Sequence, residues 1–315
     1  MPILLSGSLA YDYIMAFPDT FKQHILPDQI HMLNVCFVVE ELKKNYGGTA
    51  GNIAYTMQLL GESPVLFSPI GSDGKEYVQY LRDKGVHTHY VQEVKDKLTA
   101  SAHITTDKED NQITAFYNGA LAAAADMSIA QITEPIDLAL ISPTDKQGML
   151  AHAKYCAEHN IPFCFDPGQQ ITAFTPQELM RIIGQAKFLI GNDYEMKLLE
   201  EKTGWNNQEL MNHVPIVIMT LGEKGSIIIT QDQTFNIAPC PPLSVDDPTG
   251  AGDAYRAGFF AAYSQKHDYQ TCGQVGAVAA SYAIEHYGTQ NHTFTAAAFA
   301  SRYEKTYDTP IQLRM

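Results

Sequence analysis

The chain has 315 residues, 45% of them hydrophobic, which is enough to bury one large α/β domain with an elaboration, or two domains. Its formal net charge of −14 argues against general binding to nucleic acid or to an anionic membrane, because both partners need a basic protein surface. A small anion bound in a local positive site is compatible with this charge.

The sequence carries no signal of secretion or membrane insertion. The apolar residues 3–5 are followed by Ser6-Gly7-Ser8, a run too short and too lacking in basic residues for a signal peptide. No apolar run approaches the roughly 20 residues of a membrane span. The five cysteines are odd in number and contain no C-x-x-C pair, which disfavours disulfides and structural zinc. We therefore expect a cytoplasmic protein with free thiols.

The N-terminal segment predicts a buried strand at residues 3–5, with Asp12 a few residues beyond its end. Ligands of α/β sheets bind at strand ends, so Asp12 is a candidate to hold a substrate hydroxyl, although a single aspartate more often caps a turn. The glycine-rich run 46–52 then opens a helix that stops at Gly61. Asn52 carries an amide that can donate to and accept from sugar hydroxyls, while the glycines would equally suit close helix packing.

A second group of strands stands apart from this helix. Residues 98–106 and 112–118 have strand composition and are joined by a polar tip, which is typical of a β-hairpin. Residues 31–39 and the segment near Ile14 add further strands, which together predict a small separate sheet. Phe116 could stack on a base or sugar, although an aromatic in a strand more often packs within its sheet. We assign residues 13–46 and 98–118 to this sheet and residues 1–12, 47–97 and 119–315 to the main α/β domain.

From residue 136 onward, strands and helices alternate, which predicts a doubly wound, mostly parallel sheet flanked by helices. Neither a P-loop nor a G-x-G-x-x-G fingerprint follows a strand, which disfavours a nicotinamide-dependent oxidoreductase. The predicted strands are 136–142, 161–165, 187–191, 215–220 and 226–230, and the predicted helices are 145–159, 175–184, 271–287 and 295–303.

Two motifs follow strand ends in this region. Asn192 suits a helix N-cap, and Glu195 three residues later completes a capping box. A carboxylate there could also act on Mg²⁺ through water, because magnesium favours a few carboxylates plus water. Thr220, Gly222 and Gly225 lie at the turn between two strands, where a glycine hairpin is the simplest explanation.

The most informative stretch is residues 246–253, Asp-Asp-Pro-Thr-Gly-Ala-Gly-Asp, which leads into a run with helical apolar spacing. Gly250 and Gly252 let a ligand approach the backbone closely, and the first N–H groups of a helix attract an anion. Asp253 lies within this anion site, where a carboxylate could take a proton from an attacking hydroxyl. The plainer alternative is that Asp247 or Asp253 caps the helix and the glycines form a loop.

The string at residues 247–253 resembles the C-terminal signature of the ribokinase-like (pfkB) carbohydrate kinases. The run Gly47-Gly48-x-x-Gly51-Asn52 resembles the N-terminal signature of the same family. An N-x-x-E element at 192–195 and a T-x-G-x-x-G element at 220–225 follow in the order of the family, so the resemblance covers nearly the whole chain. It is closest to the bacterial adenosine kinases of the family, notably over residues 47–55 and 254–258.

This resemblance implies an ATP- and Mg²⁺-dependent kinase in which the small sheet is a lid over the substrate. Asp253 is then the catalytic base, and the backbone amides of Gly250, Ala251 and Gly252 hold the developing charge. The implied substrate contacts are Asp12, Gly47, Gly48, Asn52 and Phe116; the nucleotide contacts are Asn192, Glu195, Thr220, Gly222, Gly225 and Gln290; and the metal contacts are Glu195, for Mg²⁺ through water, and Asp247, for a monovalent cation such as K⁺.

The acceptor stays open between a nucleoside, foremost adenosine, and ribose or another free sugar. An apolar, aromatic lid suits a nucleoside, and the expected substrate segments hold few basic residues to pair with a sugar phosphate. Outside this class, the chain could be a non-catalytic nucleoside or sugar sensor, although the glycine-containing stretch at residues 247–252 (the anion loop) and Asp253 are retained. We expect small-molecule partners rather than nucleic acid or membrane, and the family is compatible with a homodimer through the lid sheet.

Overall fold

A computed structural model describes residues 2–25, 34–109 and 111–315. The strands in these ranges are β1 (Ile3–Ser6), β2 (Ala10–Ala16), β3 (Glu41–Gly47), β4 (Val65–Gly71), β5 (Val91–Val94), β6 (Ala100–Thr106), β7 (Gln112–Tyr117), β8 (Leu138–Ile141), β9 (Phe163–Phe165), β10 (Phe188–Asn192), β11 (Ile216–Thr220), β12 (Ser226–Thr230) and β13 (Thr234–Ile237). The helices are α1 (Phe21–His24), α2 (Thr49–Leu59), α3 (Lys75–Asp83), α4 (Lys146–Glu158), α5 (Pro176–Ile183), α6 (Asp193–Thr203), α7 (Asn207–His213), α8 (Ala251–Ser264), α9 (Tyr269–Ala283) and α10 (Ala296–Tyr307).

The larger sheet has nine strands within the described residues, in the order β13-β12-β11-β10-β9-β8-β1-β4-β5. From β11 to β5 each strand is parallel to its neighbour, while β12 and β13 add antiparallel strands at one edge. Strands β1 and β8 are buried at every residue, as expected where helices cover both faces of a sheet. The predicted doubly wound, mostly parallel sheet is confirmed.

Strand β1 contributes to two hydrophobic cores, because successive side chains of a strand point to opposite faces. Ile3 and Leu5 belong to the core that includes α2, α8 and α9. Leu4 belongs to the core that includes α4, α5 and α6. None of the helices in the described ranges is both long and apolar enough to cross a membrane.

The smaller sheet has the order β3-β2-β6-β7 and is separate from the larger sheet. Asp12 of β2 lies opposite Asn45 of β3 and Ala102 of β6, and Ala102 lies opposite Phe116 of β7. Because opposed residues point to the same face, Asp12 and Phe116 share one face of this sheet. The separate small sheet predicted as a lid is therefore present.

The strand predicted at residues 31–39 is not found: residues 31–33 lie outside the described ranges, and residues 34–39 form no strand. The third strand of the small sheet is instead β3, a mostly exposed segment with the sequence ELKKNYG at the edge of that sheet. An exposed edge strand needs no apolar pattern, so the apolar composition of residues 31–39 led to a wrong prediction, while the polar β3 was overlooked. The small sheet also reaches Ala10 and Gly47, just beyond its expected limits, and the division into two domains stays a prediction.

Candidate active site

A cavity of about 740 Å³ opens where the carboxyl ends of β1, β8, β9, β10 and β11 face the start of α8 and the small sheet. This edge of a parallel sheet is where α/β proteins bind ligands. Most of the residues predicted for the site line the cavity, namely Asp12, Gly48, Asn52, Phe116, Asn192, Glu195, Thr220, Gly222, Gly250, Gly252 and Asp253. The other five, Gly47, Ala251, Gly225, Gln290 and Asp247, do not line it.

The start of α8 is built without a side-chain cap. Its N-cap is Gly250, in the left-handed region at φ +82°, where a Cβ would also lie 3.0 Å from the Cβ of Thr289. Because no side chain bonds the first-turn amides, they are available to an anion in the cavity. The Ala251 amide instead donates to the Pro248 carbonyl at 3.3 Å.

The loop before α8 is held by Asp247, which is buried. Its Oδ1 accepts the Thr249 amide at 2.9 Å, and its Oδ2 accepts the Gly288 amide at 3.0 Å. Asp247 therefore ties the anion loop to the segment that follows α9. Its predicted role toward a monovalent cation stays a prediction.

Asp253 lies in the first turn of α8 and accepts a hydrogen bond from Asn52 Nδ2 at 2.7 Å. The opposite end of the Asn52 amide is fixed, because its Oδ1 lies 2.8 Å from the Thr289 hydroxyl and 2.9 Å from Gln290 Nε2. Burial raises the pKa of Asp253 to about 6, while Arg256 and the Asn52 hydrogen bond act in the opposite direction. A carboxylate with this pKa is ionised at neutral pH and is still basic enough to accept a proton.

Gln290 lies behind Asn52 and outside the cavity wall. Its Nε2 donates to the hydroxyl of the fully buried Tyr77 at 2.5 Å, and Tyr77 donates to the Gly47 carbonyl at 2.7 Å. Gly47 in turn contacts Asp12 so closely that a Cβ would lie 2.3 Å from Asp12 Oδ2. Gln290 and Gly47 thus connect Asn52 to the small sheet, and a nucleotide contact of Gln290 stays a prediction.

The small sheet contributes Asp12 and Phe116 to the cavity. Burial, followed by the charge of Asp247, raises the pKa of Asp12 to about 6. Phe116 is 55% exposed, although its side chain is large and apolar. Such a ring offers a face on which a flat ligand group could stack.

The structure adds two charged residues that the motif analysis did not assign to the site, Asp166 and Arg256. Arg256 Nε and Nη2 donate to the two oxygens of Asp166 at 2.6 and 2.7 Å, and both residues line the cavity. Asp166 is 2% exposed and Arg256 8% exposed, so the pair is desolvated. A signal was present in the sequence, because Arg256 follows Asp253 by three residues and therefore shares its helix face.

The start of α6 supplies Asn192 and Glu195. They form a complete capping box: Asn192 Oδ1 accepts the Glu195 amide at 2.7 Å, and Glu195 Oε2 accepts the Asn192 amide at 2.8 Å. Burial, followed by the charge of Asp166, raises the pKa of Glu195, and Arg256 opposes this rise. The predicted capping box is confirmed, and it leaves Glu195 at the cavity wall.

Thr220 and Gly222 line the end of the cavity at β11, whereas Gly225 is part of the turn into β12. Gly225 has a φ of +87°, and a Cβ there would lie 2.0 Å from the Ile237 carbonyl. The hairpin therefore requires glycine at this position for its own geometry. A nucleotide contact of Gly225 stays a prediction.

Comparisons with known proteins identify the family of this chain. The pfkB family carbohydrate kinase model matches residues 13–296. The chain is 32% identical over 301 residues to a nucleoside kinase of Methanocaldococcus jannaschii, with 95% of each chain covered. The structure of a Burkholderia thailandensis nucleoside kinase in complex with inosine matches with a TM-score of 0.89 and 35% identity, covering 98% of this chain and 99% of that one.

A second structure of the Burkholderia thailandensis enzyme, in complex with ADP-inosine, matches with a TM-score of 0.86 and 37% identity over 99% of both chains. The family match spans both sheets and reaches from the lid strands to α10. The chain belongs to the pfkB family of carbohydrate kinases and is a phosphotransferase with an alcohol group as acceptor.

Proposed function

We propose that this protein is an ATP-dependent nucleoside kinase that phosphorylates the primary 5′-hydroxyl, with the conversion of adenosine to AMP as the predicted reaction. The observation that carries the proposal is that one cavity unites Asp253, the uncapped start of α8 and the lid residues Asp12 and Phe116. The nucleoside kinases among the relatives, one of them with bound inosine, support a nucleoside acceptor. Adenosine and inosine are therefore the acceptors to compare.

The order of the strands distinguishes the two ends of the cavity. The lid and β1 are at one end and β10 and β11 at the other, with Asp166 after β9 and the start of α8 between them. Four strand spacings of about 4.8 Å separate β1 from β11, which is roughly 19 Å. That length accommodates an acceptor beneath the lid and a nucleotide beyond α8, with the two reacting groups meeting at Asp253.

At the lid end, the acceptor would be held by polar groups on one side and an apolar surface on the other. Asp12, Gly48 and Asn52 would orient the ribosyl hydroxyls. The carboxylate of Asp12 accepts hydroxyl protons, and Asn52 Nδ2 has a second N–H to donate, because its first binds Asp253 and its Oδ1 is already bonded to Thr289 and Gln290. Phe116 and Leu121 offer the apolar wall that a nucleobase needs. A free sugar would leave this wall uncovered, which is the reason to prefer a nucleoside.

The chemistry follows from the position of Asp253. As the 5′-oxygen forms a bond to the γ-phosphorus, its proton passes to Asp253 and the bond to the ADP oxygen breaks. The amides at the start of α8, those of Gly250 and Gly252 foremost, would hold the negative charge that builds on the transferring group. Burial raises the pKa of Asp253 to about 6, and Arg256 and Asn52 oppose this rise, so the carboxylate starts this step ionised at neutral pH.

The residues around Glu195 suit a magnesium ion held largely through water. Glu195 uses Oε2 in the capping box, which leaves its second oxygen for a water or a metal ion, and Asn192 lies beside it. Mg²⁺ prefers such hard oxygen ligands and keeps several waters, and it would neutralise the phosphate charges. The requirement for Mg²⁺, and any activation by K⁺ near Asp247, stay predictions.

The proposal is tested by measuring ADP formation from ATP and Mg²⁺ with adenosine, inosine, other nucleosides, ribose and fructose as acceptors. We expect turnover with nucleosides and the highest kcat/KM with adenosine. Mass spectrometry of the product should show a 5′-monophosphate.

Other outcomes separate the alternatives. A preference for inosine would keep the nucleoside kinase and correct its acceptor. A preference for ribose would show that the acceptor is a free sugar rather than a nucleoside. Binding of nucleosides without ADP formation would indicate a sensor and overturn the proposed activity.

A further inference from the structure

We propose that Arg256 is a positioning residue for phosphoryl transfer: paired with Asp166, it holds the first turn of α8 against the end of β9 in the geometry that the reaction needs. This inference rests on the proposed phosphoryl transfer at this site. It assigns a role to a buried charged pair that neither the capping motifs nor the glycine loop explains.

The pair joins the end of β9 to the first turns of α8, two elements whose paired residues lie 90 positions apart in the sequence. Asp166 directly follows β9, and its amide donates to the Ile141 carbonyl of β8 at 2.9 Å, so its backbone is fixed by the sheet. Both of its carboxylate oxygens accept the fork of Arg256. A bidentate pair of this kind fixes orientation as well as distance, and burial removes competition from water.

The same guanidinium also contacts the anion loop. Arg256 Nη1 donates to the Gly252 carbonyl at 3.0 Å. That carbonyl belongs to the peptide unit whose N–H is the amide of Asp253, so the contact fixes the plane of this unit. The guanidinium thereby sets the direction of an amide in the first turn, and it holds the segment that carries the Asp253 side chain.

Arg256 also places a positive charge among several acidic side chains. The acidic groups that face Asp253 are Asp166 from the end of β9 and Asp12 from β2, and Glu195 of α6 lies with its Oε2 3.9 Å from Arg256 Nη2. Asn52 of α2 adds a neutral donor. Arg256 lowers the pKa of Asp253, whereas Asp166 raises it, so the two partners act on the base with opposite sign.

This opposition gives a test that a merely structural pair would not satisfy. We would measure kcat against pH with ATP and acceptor saturating, for Arg256→Met, Arg256→Lys and Asp166→Asn. Each variant should lose about 10- to 100-fold in kcat, because the first turn of α8 is no longer held in place. The acid limb of the profile should move up by about one pH unit in Arg256→Met, and down in Asp166→Asn. Arg256→Lys keeps the charge and loses the fork, so its acid limb should stay near that of the wild type while its kcat falls.

The matched control is Arg302, which makes a bidentate, partly buried pair with Glu285 away from the cavity wall. Arg302→Met should lower the unfolding temperature without moving the acid limb. If Arg256→Met does not fold, Arg256→Lys and Asp166→Asn carry the test. Wild-type kcat in these variants, or acid limbs that move together in Arg256→Met and Asp166→Asn, would overturn the proposal.

A failure of the proposed function would be seen in the wild-type protein, and it is therefore distinguishable from a failure of the role proposed for Arg256. If the wild type uses another alcohol as acceptor, the same profiles are measured with that acceptor. If it uses none, the affinity for ADP is measured by calorimetry, with adenosine as the ligand that lacks phosphates. A loss of about tenfold for ADP in Arg256→Met, without a loss for adenosine, supports the positioning role, and an unchanged ADP affinity overturns it.

Discussion

Helices α6 and α8 both begin at the cavity, and their first-turn amides are satisfied in opposite ways. Helix α6 starts with a complete capping box, in which Asn192 and Glu195 satisfy each other's backbone amides. Helix α8 starts with Gly250, which has no side chain to offer, and its amides receive no side-chain cap. Both starts carry an acidic residue that lines the cavity, Glu195 in one and Asp253 in the other.

The difference separates two functions that a helix start can have. At α6 the backbone is satisfied internally, so the start is stable by itself and acts through the carboxylate of Glu195. At α8 the backbone is left for the ligand, so the start needs support from outside the helix. That support comes from Asn52 on one side of Asp253 and from the pair of Arg256 and Asp166 on the other.

The largest effect is expected from Asp253→Asn. The amide can still accept the hydrogen bond from Asn52, but it cannot take a proton, so kcat should fall about 10³-fold with a nucleoside KM near the wild-type value. Steady-state kinetics with ATP and a nucleoside measure both constants. The control is Asp193→Asn, an exposed first-turn acid of α6, which should leave kcat unchanged. A near-normal kcat in Asp253→Asn would assign the base elsewhere.

The next effect concerns the uncapped loop itself. Gly250→Ala places a Cβ 3.0 Å from Thr289 in a left-handed backbone, so the amides should shift and kcat should fall about 10²-fold. Gly204→Ala at the end of α6 is the matched control, because its φ is also positive and nothing lies near its Cβ. It should lose about 1 kcal/mol of stability and keep its activity. Equal kcat values in the two variants would argue against a role of the anion loop in the reaction.

The dependence on pH should follow the two carboxyl groups with raised pKa. Asp253 works as a base only when ionised, so kcat should fall about tenfold per pH unit below a pKa of about 6. In kcat/KM for the nucleoside, Asp12 should add a second protonation near pH 6, which Asp12→Asn should remove. A kcat that stays level from pH 7 to pH 4 would contradict the assignment of Asp253 as the base.

The smallest effect is expected at the capped helix. Glu195→Gln keeps the capping box, because glutamine can also accept the N-cap amide, but it removes the charge. We expect the Mg²⁺ concentration for half-maximal activity to rise about tenfold, with little loss of stability. Glu209→Gln changes the same position in the capping box of α7 and should leave the Mg²⁺ titration unchanged. An unchanged titration in Glu195→Gln would remove Glu195 from the metal site.

The contrast between the two helix starts could be partly predicted from the sequence. Asn192 and Glu195 stand three residues apart after an apolar strand, and such a local pattern fixes a capping box by itself. The glycines and Asp253 likewise predict an anion site, because they act within one turn of backbone. The parallel sheet followed from the alternation of strands and helices, while the exposed edge strand β3 did not, because its pairing needs no apolar pattern.

The sequence by itself determined six strands of the main sheet (β1, β8, β9, β10, β11 and β12), the capping box of α6 and the glycine loop, because each depends on residues close together in the chain. The tertiary structure alone brought Asn52 to Asp253 across 201 residues and Asp166 to Arg256 across 90 residues. It also placed Gln290 behind Asn52 and Gly225 outside the cavity wall. Contacts of this kind depend on how the strands are ordered and how α8 packs on the sheet, and no local spacing encodes that order.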